Sequence, residues 1–382
     1  MTGDAPRVAL FTEAALNRKH GTGAQLLRYL DGLDVECAHV HFLGWAGWDS
    51  VTPRSLPLEP PAWRKRSKLI RGLARRLGLD WWSHGRLSGA TRAAILAHAA
   101  PCDVAWVVVG GERGARVARR VVAELGAPVL LHVMDLYADS LDTCPHFRAL
   151  AASARGIITL TPNLSSEFKR SVGRDCLEIG VGQHTDVPLA LPPDGNGWTL
   201  FISGRTYPES LTLLAEALHL LTPSRRPSAI FYAGTQFAAI PDALRRQVVD
   251  LGFIGDPPAY ARAVAARHVA YLQLPAQLDA FGRYSYPSRA TDYLMAGLPV
   301  IGHCPEGGAA AAVLRAAHPG VRLGHGGARQ LAEDLAAVVA TPASWALAHR
   351  AARAFAERHI DIVPQRAAIR AELARCALSR EK

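Results

Sequence analysis

Three polar residues in the last third of the chain, Ser288, Arg289 and Asp292, have the types and spacing to bind a ligand carrying phosphate and hydroxyl groups. They stand in PSRATDYLMAG, where apolar residues recur at helical spacing, so we predict a helix that starts at Ser288 and ends at Gly297. The first turn of a helix offers unpaired N–H groups to a phosphate, and a guanidinium pairs with it. Asp292, one turn further, accepts hydrogen bonds from hydroxyl groups. Phosphate and hydroxyl groups together are typical of a nucleotide sugar.

This segment resembles the C-terminal signature of the Group 1 family of GT-B glycosyltransferases, because the apolar run LPVIG follows the helix directly. In that family a Ser-Lys or similar pair opens the helix, an acid holds the nucleotide ribose, and AGLPVI comes next. The resemblance implies that Ser288, Arg289 and Asp292 bind the donor. The residues alone leave open an ordinary buried helix–strand unit of an α/β protein.

Three other places extend the resemblance and imply further contacts with the donor. Gly204 and Arg205 end a predicted strand, where the family has a Gly-Arg pair whose arginine contacts the diphosphate. Phe253 lies in LGFIG, which resembles the strand and turn whose backbone meets the nucleotide base. Gly307 and Gly308 resemble the glycines beside the donor sugar. For Arg205 a surface position in a loop is the alternative.

A glycine-rich segment near the N-terminus also matches the family. His20-Gly21-Thr22-Gly23 follows the first predicted strand and precedes a predicted helix, as does the family's loop near the donor phosphates and acceptor. We expect Gly23 on the donor side, and Gly21 and Thr22 on the acceptor side. As a dinucleotide-binding fingerprint the segment is incomplete, because the third glycine is missing.

Asp135 is the predicted catalytic residue. It follows the apolar strand APVLLHV and resembles the His-Asp-Leu of the family, with Met134 where His is usual. A carboxylate at the carboxyl end of a parallel strand can take the proton of an attacking hydroxyl group. Some membrane-associated inverting GT-B enzymes, such as the xanthan glucuronosyltransferase, have an acid comparable to Asp135. The alternative role for this residue is a helix N-cap.

Two positions depart from the family pattern. Many relatives carry two glutamates eight positions apart; here Asp292 takes the second position and Tyr284 the first. Ser210 is the nearest match to a lysine that usually follows the Arg205 position. A non-catalytic nucleotide-sugar-binding protein is therefore an alternative, and the stereochemistry of transfer stays open.

The order of the predicted elements determines the expected fold. Strand and helix patterns alternate on both sides of LPPDGNG, a Pro- and Gly-rich segment from Leu191 to Gly197 that we predict to be a linker. Among these elements we predict a helix over 243–251. The resemblance implies the GT-B fold, with two Rossmann-like α/β domains facing across a cleft. The expected domains are 1–190 for the acceptor and 191–350 for the donor, with a C-terminal helix, 351–382, returning to the N-terminal domain.

Composition limits the functional classes. The 382 residues suffice for two domains, and no run of 18 apolar residues predicts a spanning helix. The N-terminus lacks the layout of a signal peptide, and the six cysteines are far apart, so we predict a cytoplasmic protein with reduced thiols. Asp-x-Asp, the pair that holds manganese in many single-domain glycosyltransferases, does not occur. We therefore predict no metal and no cofactor besides the substrate, for which we expect a UDP-sugar.

The formal charge of +10 is concentrated in the segment from Trp63 to Trp82, which carries seven cations before its only acid, Asp80. Its apolar residues lie at helical spacing, as in an amphipathic helix at a membrane surface. A core-facing helix with a basic outer face is the alternative, and we expect no nucleic acid because no recognised binding motif accompanies the patch. We therefore expect a saccharide or lipid-linked acceptor at an anionic surface on the inner membrane face. A soluble natural-product acceptor is the alternative.

Overall fold

The computed structural model describes residues 5–17, 21–43, 54–58, 88–193, 197–275 and 277–378. Within these residues the chain forms two compact units. The first contains the residues up to Ile179 and those from Val363 onward, and the second is Gly180–Ile362. Each unit is built on a parallel β-sheet, as the alternation of strands and helices predicts.

The sheet of the first unit has the order β3-β2-β1-β4-β5-β6-β7 in the described part of the chain, and its neighbouring strands pair in parallel. The strands β4 and β5 are buried along their whole length, which explains why His132 of β5 is the one polar residue in the two strands. The strands are β1 (Arg7–Ala14), β2 (Glu36–Leu43), β3 (Ser55–Pro57), β4 (Val104–Val108), β5 (Val129–Val133), β6 (Gly156–Thr159) and β7 (Leu177–Glu178).

Helices connect these strands, and two end in glycines with a positive φ angle, Gly126 and Gly173. Such a residue terminates a helix at little steric cost because it has no Cβ atom. The helices are α1 (Gly21–Leu30), α2 (Gly89–Ala99), α3 (Glu112–Leu125), α4 (Pro145–Ser153) and α5 (Pro162–Val172).

The sheet of the second unit has the order β10-β9-β8-β11-β12-β13, again with parallel neighbours. Its strands are β8 (Thr199–Ser203), β9 (Ala229–Ala233), β10 (Val248–Asp250), β11 (Val269–Leu272), β12 (Val300–His303) and β13 (Val321–Gly324). Its helices are α6 (Pro208–Leu220), α7 (Asp242–Arg245), α8 (Pro257–Ala265), α9 (Ala280–Tyr284), α10 (Arg289–Met295), α11 (Ala309–Leu314), α12 (Ala328–Val338) and α13 (Pro342–His359).

The helix predicted over 243–251 is wrong in its second half. Only α7 is helical there, and Val248–Asp250 forms the edge strand β10, paired in parallel with Ile230 to Tyr232 of β9. Pairing with a strand elsewhere in the sequence provides backbone hydrogen bonds that the local apolar pattern does not reveal.

The last helix, α14 (Ile362–Leu378), packs within the first unit from Val363 onward, whereas residues 351–359 of the predicted returning helix belong to α13 in the second unit. The Arg366 side chain donates to the carbonyl oxygen of Arg28 from Nε at 2.9 Å and from Nη2 at 2.6 Å. Nη2 of Arg375 donates to the carbonyl oxygen of Arg155 at 2.9 Å. These contacts join the end of the chain to α1 and to the segment before β6.

The second unit begins before the Pro- and Gly-rich segment that composition marks as the linker. Gln183 pairs with the end of this unit through its backbone, since its N–H donates to Ile360 at 2.9 Å and its carbonyl accepts from Ile362 at 3.0 Å. The N–H of Ala190 donates to the carbonyl of Ala296 at 2.8 Å. The residues from Gly180 to Ala190 therefore belong to the second unit and contact the ends of α10 and α13. In the part of the chain that the structure describes, no helix is both long and apolar enough to span a membrane.

Candidate functional site

Each sheet has one point where the strand order reverses direction. In the first unit it lies between β1 and β4, and in the second between β8 and β11. Connections leave toward opposite sides of the sheet at such a point, which opens a crevice at the carboxyl ends of the two strands. Ligands of open parallel sheets bind in this crevice, so the predicted binding residues are compared with the positions of these two switch points.

Arg289 joins the carboxyl ends of β8 and β11 in the second unit. Its Nη1 donates to the carbonyl oxygens of Ser203 at 2.5 Å and Arg205 at 3.0 Å, and its Nη2 donates to that of Gln273 at 3.0 Å. A guanidinium has five N–H donors, so most of them bind backbone carbonyls. Gly204 between the first two carbonyls has a φ of +76°, and a Cβ there would lie 2.9 Å from Nη1. The sequence predicted a phosphate-binding arginine; the structure shows one that holds the loop after β8.

Side chains brace the rest of this loop, residues 204–207. The Tyr232 hydroxyl donates to the carbonyl of Gly204 at 2.9 Å. Gln236 Oε1 accepts from the N–H of Thr206 at 2.9 Å, and Gln273 Oε1 accepts from that of Tyr207 at 3.1 Å. The loop is therefore fixed before any ligand binds, which lowers the entropic cost of binding.

Two groups at this loop remain to contact a ligand. Arg205 is exposed, with its guanidinium carbon 5.4 Å from the centre of the Tyr207 ring. The Nε2 atom of Gln273 is buried and has no hydrogen-bond partner within the described residues. A buried donor of this kind is uncommon, because leaving it unpaired costs about 1–3 kcal/mol. Arg205 is thus the exposed cation of the predicted pair, and its binding to a diphosphate stays a prediction.

Asp292 lies half-buried on α10 and accepts a hydrogen bond from Nε2 of Gln183. The Gln183 amide is itself fixed, because its Oε1 accepts from the N–H of His184 at 3.0 Å. Gln183 was not among the sequence-predicted residues, and no local pattern marks it. The glutamine orients one oxygen of the carboxylate that the sequence predicts to hold a ribose.

The helix α10 itself is shorter than the predicted segment. Ser288 stands just before it and makes no side-chain cap, but its carbonyl accepts from Oγ1 of Thr291 at 2.6 Å. Gly297 has the left-handed backbone, with φ at +69°, that ends the helix as predicted. A buried cluster fixes α10 against β8, since Oγ of Ser203 lies 2.7 Å from the Tyr260 hydroxyl and 2.6 Å from that of Tyr293.

The other predicted donor residues follow the carboxyl ends of two further strands of this sheet, β10 and β12. Phe253 comes after β10 and is 53% exposed. Gly307 and Gly308 come after β12 and directly before α11, and a Cβ at Gly308 would lie 3.0 Å from the carbonyl of Gly282. Because carboxyl ends of parallel strands share an edge, all three belong to the side of the sheet that carries Arg205.

The two departures from the family pattern are both internal. Ser210 is buried, and its Oγ lies 2.8 Å from the Tyr271 hydroxyl. Tyr284 is only 4% exposed. Neither side chain supplies the charge that the family has at its position.

In the first unit, Asp135 follows β5 and is half-buried. The helix starts after it are capped by other residues: Ser140 accepts from the N–H of Asp142, and Cys144 is the cap position of α4. The N-cap role considered for Asp135 is therefore excluded, and its carboxylate stands one strand away from the switch point.

Glu13 is an acid that the sequence analysis missed. It is the penultimate residue of β1, and its Oε2 accepts from the N–H of Gly110 at 3.0 Å. Burial raises its pKa to about 7, with a further contribution from Asp135 and an opposing one from Arg113. The sequence signal that could have identified Glu13 is an acidic residue at the end of a predicted apolar strand.

The glycine segment is helical rather than a loop, since α1 begins at Gly21. Gly23 is buried in the first turn, where a Cβ would come within 2.7 Å of the Ala15 carbonyl and 2.9 Å of the Asn17 carbonyl. Close packing on the segment after β1 thus requires this glycine. Gly21 is exposed and Thr22 is half-buried, so both are accessible.

The structure does not describe two further parts of the chain that the sequence analysis singled out. His20 and the basic segment from Trp63 to Trp82 lie outside the described residues. Among the residues that are described, no three His, Cys, Asp or Glu side chains form a group that could hold a metal ion. The metal-independent reaction stays a prediction.

Solved structures are similar to this chain over nearly its full length. HepE from Anabaena, solved with UDP and glucose, aligns over 96% of this chain and 99% of its own, at a TM-score of 0.69 and 15% identity. Sucrose-phosphate synthase from Thermosynechococcus elongatus aligns over 98% and 100%, at a TM-score of 0.69 and 13% identity. The lipopolysaccharide outer core galactosyltransferase WaaB, in its apo form, gives 98% and 99%, a TM-score of 0.58 and 12% identity.

These likenesses confirm the predicted fold: the chain has the two-domain GT-B architecture. No protein-family model matches the chain, and no curated protein sequence matches it.

Proposed function

We propose that the chain is a glycosyltransferase that moves a sugar from a nucleotide-diphosphate sugar to a hydroxyl acceptor. The observation that carries the proposal is the braced loop 204–207 at the switch point of the second sheet, with Arg205 exposed on it and Asp292 on the adjoining helix. An anion-pairing cation and an oriented carboxylate next to each other suit a diphosphate and a ribose. The presence of UDP in the HepE structure supports a UDP-sugar as the donor.

The proposed roles follow from the local chemistry. Arg205 stabilises the negative charge that develops on the leaving diphosphate, which is the main electrostatic demand of the reaction. Asp292 accepts hydrogen bonds from the ribose hydroxyl groups, and Gln183 keeps it in place. Arg289 acts indirectly, by holding the loop that carries Arg205. Asp135 in the first unit takes the proton of the acceptor hydroxyl, which gives inversion at the sugar carbon.

The acceptor proposal depends on the basic segment from Trp63 to Trp82. Cations near an anionic leaflet contribute about 1 kcal/mol each, so a segment with seven of them favours a membrane-bound acceptor. We propose a lipid-linked or cell-envelope saccharide as acceptor and a peripheral position on the cytoplasmic membrane face.

A thermal-shift series with UDP, UDP-glucose, GDP-mannose and TDP-glucose tests the donor. A ligand that binds the folded state raises the melting temperature by mass action, so one nucleotide class should stabilise the protein. Release of UDP from UDP-glucose, followed with a coupled assay, then tests transfer to water or to an added sugar. No stabilisation by any of the nucleotides would overturn the proposal.

A non-catalytic nucleotide-sugar-binding protein is the second candidate, because Ser210 and Tyr284 replace charged residues of the family and both are buried. This candidate predicts stabilisation by a nucleotide sugar without any release of nucleotide diphosphate. Transfer to a hydroxyl acceptor excludes it.

A further inference from the structure

Glu13 lies where three strand ends of the first sheet converge. It stands near the carboxyl end of β1, and Gly110, which donates to its Oε2 at 3.0 Å, follows β4 across the switch point. A Cβ at Gly114 would come within 1.8 Å of Oε1 of Glu13. The start of α3 therefore has room for this carboxyl group only because residue 114 is a glycine.

Gly110 also connects Glu13 to the loop of Asp135. A Cβ at Gly110 would lie 3.0 Å from the carbonyl oxygen of Asp135, and the Gly110 carbonyl accepts from the N–H of Tyr137 at 2.8 Å. One glycine thus contacts the carboxyl group from β1 with its N–H and the loop after β5 with its Cα and carbonyl. Gly110 thus contacts both the carboxyl group of Glu13 and the backbone of Asp135, two acids more than a hundred residues apart in sequence.

The charges around Glu13 are defined by four groups. Burial and then the Asp135 carboxylate raise the pKa of Glu13, whereas the N–H groups of Gly110 and Gly114 and the Arg113 guanidinium oppose the shift and leave the pKa at about 7. Tyr137 faces the same acids: although the residue is 60% exposed, partial desolvation of its hydroxyl group and then the charges of Asp135 and Glu13 raise its pKa. Tyr137 is therefore neutral at physiological pH, and the ionisable pair is Glu13 with Asp135.

We propose that Glu13 is a positioning residue that acts through Asp135, the two side chains forming a pair of interacting carboxyl groups beside the switch point of the first sheet. This inference rests on the proposed glycosyl transfer. In the reaction, the proton of the acceptor hydroxyl passes to a carboxylate oxygen of Asp135 as the hydroxyl oxygen bonds to C1 of the sugar. The bond from C1 to the diphosphate oxygen breaks, and its electron pair leaves with the diphosphate.

Glu13 determines how strongly Asp135 accepts that proton. When Glu13 is ionised, its negative charge favours the protonated form of Asp135 and so makes Asp135 a stronger base. When Glu13 is neutral, this effect is lost. The rate of transfer should therefore depend on an ionisation near neutral pH that belongs to Glu13 and not to the donor site.

A carboxyl ¹³C NMR titration tests the pair without any assay of activity. The Glu13 resonance is assigned by its loss in Glu13→Gln, and its pKa is measured in the parent, in Asp135→Asn and in Asp139→Asn. Removal of the Asp135 charge should lower the Glu13 pKa by on the order of one unit. Asp139, an exposed acid in the same loop, serves as the matched control and should leave it unchanged. An Asp135→Asn protein with the parental Glu13 pKa would overturn the coupling.

The pH dependence of UDP release from UDP-glucose, with free glucose as acceptor, tests the role in transfer. The parent should show a bend near pH 7 that is absent in Glu13→Gln and retained in Glu13→Asp, while the affinity for UDP stays the same in all three. A Glu13→Gln profile parallel to that of the parent overturns the proposal. If the parent releases no UDP at any pH, glycosyl transfer is the failed hypothesis, and the NMR titration still decides whether the pair exists.

Discussion

Replacement of Arg289 by alanine separates a structural arginine from a donor-binding one. The side chain binds three carbonyl oxygens, those of Ser203, Arg205 and Gln273, and the first and third of these contacts are partly buried. A buried carbonyl oxygen left without a hydrogen-bond donor costs about 1–3 kcal/mol. Water can replace part of the lost hydrogen bonding at a partly buried carbonyl, which lowers this cost. We therefore expect Arg289→Ala to lower the free energy of unfolding of the second unit by about 2–4 kcal/mol.

Arg205→Ala is the matched control, because Arg205 is exposed in the loop that Arg289 holds. Its stability should stay within about 0.5 kcal/mol of the parent, whereas its affinity for UDP should fall about ten- to a hundredfold through the lost charge-assisted hydrogen bond. Arg289→Lys keeps the charge, but one ammonium group cannot bridge the ends of β8 and β11 in the same way. It should therefore resemble Arg289→Ala in stability.

Urea unfolding followed by circular dichroism measures the stabilities, and calorimetric titration with UDP measures the affinities. The expected result is that Arg289→Ala loses both stability and affinity, while Arg205→Ala loses affinity alone. An Arg289→Ala protein as stable as Arg205→Ala but with weaker UDP binding would refute the reasoning. Arg289 would then be a direct ligand of the phosphate.

Three other outcomes are expected. Because the folded state raises the pKa of Glu13 from 4.5 to about 7, its stabilising contribution is complete below pH 4.5 and is lost as the pH rises through 7. Glu13→Gln should therefore gain about 3 kcal/mol relative to the parent between these pH values, and parallel melting curves would contradict this. Asp292→Asn should weaken binding of UDP even without a sugar, and Gln183→Ala should weaken it less; an effect confined to UDP-glucose would assign Asp292 to the hexose. If the segment from Trp63 to Trp82 binds the membrane, replacement of four of its cations by glutamine should abolish flotation with anionic liposomes. The four cations are Arg64, Lys65, Arg66 and Lys68. Equal flotation of the variant and the parent would show that the segment does not bind the membrane.

The sequence by itself determined the type of fold and the place of the donor-side helix. The apolar runs of β4, β5 and β12 predict buried parallel strands, because a strand covered on both faces has no polar side. Gly297, with its positive φ, marks the end of α10 in the sequence as in the structure. These features are local, since periodicity and backbone preference act over a few residues.

The tertiary structure alone decided what the charged residues contact. Nothing near Arg289 in the sequence indicates the carbonyls of Ser203 and Gln273, and nothing near Glu13 indicates Asp135. Sheet order brings these groups together, because the carboxyl ends of parallel strands from distant parts of the chain meet at a switch point. Burial at that point then changes the chemistry: it ties up the donors of an arginine and raises the pKa of a glutamate.

The same physical reason explains the two errors in secondary structure. Val248–Asp250 has a sequence compatible with a helix but pairs with β9, and the glycines from Gly21 to Gly23 enter the first turn of α1 because that turn packs on the carbonyls of Ala15 and Asn17. Local preference differs between such states by about 1 kcal/mol or less, whereas pairing and close packing with distant residues add larger energies. The sequence therefore determined which elements exist, and tertiary packing determined where they begin and what their side chains do.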